Sequence, residues 1–157
     1  MVSGDAAGWI AAGISAIACV VSWVFANKSK ANSEIANETA IASLERSLRT
    51  GITVAQDKFQ EVAFRVEDQK KAGSILPVTE QAFSSAVENY LNAHESAAMY
   101  YCLGKIDYKR YKTEYRNEIK VICDPNQKEF SRLMHPEDQS EYRNLWNAYN
   151  QFWGGHK

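Results

Sequence analysis

Between Asp5 and Lys28 the chain carries no charged residue for 22 positions, and the stretch "AAGISAIACVVSWVFANKSK", residues 11–30, is dominated by Ala, Ile and Val until its lysines. At about 1.5 Å rise per residue such a run makes roughly 33 Å of helix, enough for a hydrocarbon core of about 30 Å. No other feature constrains the fold as strongly, because an uncharged helix of this length needs lipid or a large protein interior around it. Trp9 near one end and Trp23 with Phe25 near the other suit an aromatic belt, since amphipathic rings settle at the water boundary. A secretory signal asks for a positively charged start, which "MVSGDAAGW" lacks. The expectation is a transmembrane anchor over residues 1–27, with a cleaved signal and a buried core helix as alternatives.

Lys28 and Lys30 follow the run and nothing basic precedes it. Positive charge favours the cytoplasmic side, so the expected placement is single-pass in the inner or plasma membrane, N-terminus out and C-terminal domain cytoplasmic. The reversed orientation is the alternative. Three cysteines, Cys19, Cys102 and Cys123, without a CxxC pair, fit free thiols in a reducing compartment. The 130 residues after the run carry 18 basic and 18 acidic groups. That balance provides no bulk field for nucleic acid or an acidic surface, so such a partner would need a local patch.

Steps of four and three from Gly8 reach Ala12, Ser15, Cys19, Ser22 and Ala26, then Ser29, Ser33, Ala36, Ala40, Ser43 and Ser47, and every occupant is small. This spacing places them on one stripe of a slightly supercoiled helix. In lipid, such a stripe lets two helices approach closely, so a homo-oligomer through the anchor is expected. An anchor that is merely rich in Ala is the competing reading. Beyond the stripe, Leu48, Ile52, Ala55, Phe59, Val62 and Val66 recur at the same spacing among charged neighbours, which predicts an amphipathic juxtamembrane helix over 28–72. Its apolar edge has two candidate partners, a second copy or the chain's own C-terminal helices.

"KKAGSILPVTEQ", residues 70–81, is the clearest break. Gly73 and Ser74 punctuate it, Pro77 stops a helix and Thr79 is placed to cap the next one, which runs to about Leu103. Gly104 then terminates that helix and Asp107 caps a third, with Tyr108, Tyr111, Tyr115, Ile119 and Ile122 on one face, through about Cys123. Asp124-Pro125 ends it, a short helix reaches about Met134, and Pro136 begins the last helix, which ends near Trp153. No stretch alternates with period two. The expected class is all-α: a transmembrane helix continuing into a stalk helix, then a small array of three or four helices over 73–157.

The segment "VENYLNAHESAAMYYCLGKIDYKRYKTEYRNEI", residues 87–119, resembles one found in small single-span bacterial and prophage membrane proteins of uncharacterised function. The matching residues are Asn89, Tyr90, Leu91, Asn92, Glu95, Ala97, Ala98, Gly104, Ile106, Asp107 and Tyr111. Asn92 departs from the family pattern, which often carries a carboxylate there. The resemblance implies a helical cytoplasmic domain behind one span, and brings no assigned activity.

No catalytic set and no cofactor or metal motif emerges. His94-Glu95 begins like a zinc-protease motif, but Ala98 stands where the second imidazole belongs. His94 therefore reads as a hydrogen-bonded core residue. Asn92, Glu95 and Asp107 are expected to form a polar contact at the hairpin. Lys105, Lys109, Arg110, Lys112 and Arg116, interleaved with three tyrosines, read first as a solvated face, then as a surface for anionic lipid, and last as one for nucleic acid, because Asp107, Glu114 and Glu118 dilute the charge.

The expected function is a membrane-tethered, non-enzymatic helical interaction module with an unidentified protein partner, in a host-defence or prophage-exclusion setting that the resemblance suggests. A membrane-damaging effector acting through assembled anchor helices is one alternative. A phage lysis component of reversed topology is another.

Overall fold

The computed structural model describes the backbone of residues 5–154 and the side chains of residues 22–154. Among the described residues the chain forms five α-helices and no strand. They are α1 (Asp5–Lys71), α2 (Pro77–Cys102), α3 (Tyr108–Ile122), α4 (Lys128–Met134) and α5 (Arg143–Trp153), with a 3-10 turn at Glu137–Gln139 before α5. The chain is all-α. It divides into two compact units, residues 1–42 and residues 43–157. Among the described residues no helix is long and apolar enough to cross a membrane. The expected span lies, through position 21, outside the residues whose side chains are described.

Within the unit of residues 43–157, the second half of α1 packs on the chain's own helices. Ile52, Val62 and Val66 are buried, and Leu48, Ala55 and Phe59 pack against the core as half-buried neighbours. The core is completed by Leu91 of α2, Ile119 and Ile122 of α3, Met134 of α4 and Leu145 of α5, all fully buried. Each such side chain contributes about 1.5–3 kcal/mol through removal of apolar area from water. At the start of α3, Glu45 ties α1 down: it accepts from the Asp107 N–H at 2.8 Å and pairs with Arg110. Arg49 reaches Glu114 at 2.7 Å one helical turn further on.

The breaks follow local chemistry. Gly73 and Gly104 adopt φ of +92° and +64°, a region in which a side chain would be strained. At both, the glycine and the residue after it donate back into the last turn, as with Gly104 N to Tyr101 O and Lys105 N to Tyr100 O, both 2.9 Å, which closes the helix end on its own orphan carbonyls. Asp107 caps α3 as expected, accepting from Arg110 N at 2.6 Å.

Three expectations are corrected. Pro77 is the first residue of α2, and Thr79 is a buried residue within its first turn. Proline fits that position because its missing N–H would have had no intrahelical partner. Pro136 precedes only the 3-10 turn, and α5 starts at Arg143. Between them Ser140 is buried, donating its hydroxyl to Leu133 O at 3.1 Å and accepting from Tyr142 N at 3.2 Å, a local arrangement that competes with helix. Tyr108 is about half exposed while the remainder of its expected face, Tyr111, Tyr115, Ile119 and Ile122, is buried.

Candidate binding cleft

A cleft of about 500 Å³ opens in the unit of residues 43–157, lined by α1, α2, α3 and α4. Its apolar wall is a cluster of rings from three helices. Phe59 lies 5.7 Å from Phe83, 5.5 Å from Tyr90 and 5.8 Å from Phe130, and Tyr90 lies 5.9 Å from Phe130. Such centroid separations fall within the range of favourable aromatic pairing. The polar lining includes Glu118 from α3, Glu67 and Lys70 from α1, and Glu129 from α4.

Behind this wall His94 is fully buried, edge-on to Tyr90 at 4.6 Å and to Tyr115 at 5.8 Å. Its Nε2 lies 3.5 Å from Glu118 Oε2. The contact lacks hydrogen-bond geometry, and both imidazole nitrogens and Glu118 Oε2 are buried without a partner. Burial therefore prevails over the neighbouring carboxylate. It pushes His94 down to about 4 and keeps the ring neutral at neutral pH. The same desolvation, reinforced by Glu114, raises Glu118 above the usual carboxylate range. The Tyr101 and Tyr111 hydroxyls are likewise buried without a partner, and burial raises both. His94 is a core residue as expected, but the expected hydrogen bond is absent.

The hairpin contact expected of Asn92, Glu95 and Asp107 is replaced by three separate roles. Asn92 is exposed and its carbonyl accepts from Ser96. Asp107 caps α3. Glu95 turns to α5, accepting from Asn144 N at 3.0 Å, Asn144 Nδ2 at 2.7 Å and Leu145 N at 2.8 Å. A carboxylate there satisfies N–H groups at the start of a helix that has no side-chain cap of its own.

The five basic residues differ in their contacts. Lys112 lies over the rings of Tyr108 at 5.8 Å and Phe152 at 5.6 Å, Arg116 over Trp153 at 5.3 Å, and Arg110 on Glu45. Lys105 and Lys109 are exposed. In the small-residue stripe, Ser22 and Ala26 are exposed on α1, whereas Gly8, Ala12, Ser15 and Cys19 lie outside the residues whose side chains are described. Cys102 and Cys123 are free thiols, the second buried and pushed up to about 12 by desolvation.

No family model, curated protein or solved structure matches this chain.

Glu118 was missed as a site residue because it sits beside the stripe of Tyr115, Ile119 and Ile122, among the exposed positions of a charged helix. A carboxylate bordering an apolar stripe was the available signal. Its proximity to His94, 24 positions earlier in the chain, has no local signature.

Proposed function

We propose that the protein is a membrane-tethered helical binding module, held by its first 27 residues and presenting the unit of residues 43–157 to a ligand or partner at the cytoplasmic face. The observation that carries this reading is a run of exposed large apolar side chains at the end of an uncharged stretch. Residues 6–27 contain no charge, and where side chains are described, Trp23, Val24 and Phe25 are exposed at 66%, 49% and 69%. Consecutive large apolar groups in water are costly, and lipid or a second copy of the helix would relieve that cost. The small-residue stripe supports self-association of the anchor. The resemblance over residues 87–119 fits a place in host defence or prophage exclusion.

Fractionation of cells expressing the full-length chain tests the tether. The protein should sediment with membranes and leave them only in detergent. A cysteine at exposed Ser33 should react with a thiol reagent from the cytoplasmic side only. Replacing Ala12 or Ser15 by Leu should abolish cross-linked oligomers without changing sedimentation. Recovery of the intact chain as a detergent-free monomer from the aqueous fraction overturns the reading.

A further inference from the structure

We propose that the cleft between α1, α2, α3 and α4 binds a small amphipathic organic cation, whose apolar part lies against Phe59, Phe83 and Phe130 and whose N–H groups meet Glu118. This goes beyond the tether and does not depend on it. The cleft, at about 500 Å³, is an open groove large enough for a small organic molecule. Its ring cluster offers both apolar area and π-faces, and π-faces attract ammonium and amidinium groups.

The sign of the ligand's charge follows from the polar lining. Three glutamates, Glu67, Glu118 and Glu129, stand against one lysine, Lys70. Among the described residues neither Glu67 nor Glu129 has an ion-pair partner. Glu118 is the most constrained of the three. Its Oε2 is buried towards His94 without a hydrogen bond, while its side chain keeps 36% of its surface and lines the cleft. With one oxygen buried and unpartnered, the carboxylate is reached from the cleft through the exposed part of its side chain, where a cation adds a charge-assisted bond. An anion would meet three carboxylates, and a neutral ring would leave the excess of negative charge along the cleft uncompensated.

The test uses the full-length chain carrying fluorophenylalanine, with three probes of one shape: phenethylammonium, phenethyl alcohol and phenylacetate. Fluorine NMR should show the Phe59, Phe83 and Phe130 resonances shifting with the cation, which should bind about tenfold more tightly than the alcohol. Phenylacetate should not bind. Glu118→Gln should erase the cation's advantage while leaving alcohol binding in place, and Ala63→Trp, which adds bulk to the α1 wall, should remove both. If Glu118→Gln does not fold, Glu129→Gln at an exposed position should still narrow the advantage by about two- to threefold. Equal binding of the three probes, an unchanged preference in the glutamate variants, or shifts confined to other phenylalanines overturns the proposal.

Discussion

Residues 22–42 and residues 43–71 belong to the same helix, yet the side chains of their stripes differ in burial. The first carries Ser22, Ala26, Ser29, Ser33, Ala36 and Ala40 at alternating steps of four and three, all exposed. The second carries Leu48, Ile52, Ala55, Phe59, Val62 and Val66 at the same spacing, buried or half-buried. Backbone propensity is similar in both, and Ala and Ser are no poorer at making helix than Val and Ile. The difference lies in side-chain volume on the stripe. Large apolar groups gain enough from leaving water to hold neighbouring helices against them, and small ones do not. A small-residue stripe is suited instead to close approach by another helix, where contact rather than apolar area supplies the attraction.

The sharpest way to break this contrast is to shorten one large side chain in each half. Ile52→Ala should cost about 2–5 kcal/mol in denaturant unfolding of the helical unit, because it leaves a cavity at a site only 3% exposed. Ile35→Ala, at 62% exposure, should change stability by no more than about 0.5 kcal/mol. Equal losses would show that the two halves are not distinguished by burial.

A smaller effect comes from the interior that the second half helps to cover. His94 is held at about 4, below its ordinary 6.5, so the unfolded chain binds more protons between those values. Stability should therefore fall as pH drops from 7 through 5, by roughly 2 kcal/mol, with the loss continuing towards pH 4. Glu118 acts with the opposite sign, since its raised value favours the folded state when it is protonated. Glu118→Gln should accordingly make the acid loss steeper, and His94→Leu in that background should flatten it. A pH profile insensitive to both changes would place the imidazole in water.

The smallest expected effect sits next to Ile52. Gly51 lies within α1, and a Cβ added there would meet nothing within 4 Å. Gly51→Ala should stabilise the helical unit by about 0.5–1 kcal/mol, measured as a higher denaturation midpoint. A loss instead would point to a close approach at this position.

Much of the architecture was legible wherever a residue acts on its immediate neighbours. Gly104 ends α2 and Asp107 starts α3 because left-handed backbone and a capping carboxylate are local requirements. The buried face of α3, Tyr111, Tyr115, Ile119 and Ile122, followed from periodicity for the same reason. Less legible were features that depend on a partner far along the chain. Tyr142 precedes α5 without a capping side chain, so nothing nearby marks that start; the acceptors come from Glu95. Lys112 and Arg116 read as free charge until Phe152 and Trp153 of α5 come beneath them. The cleft was hidden for the same reason, since its rings and carboxylates come from four separate helices.

The bond set from Glu95 to the first turn of α5 also orders events in time. The acceptor precedes its donors by 49 and 50 positions in the chain, so the bundle cannot latch until that later segment has been made. A chain cut short before Asn144 would leave an open, unlatched bundle exposed to proteases.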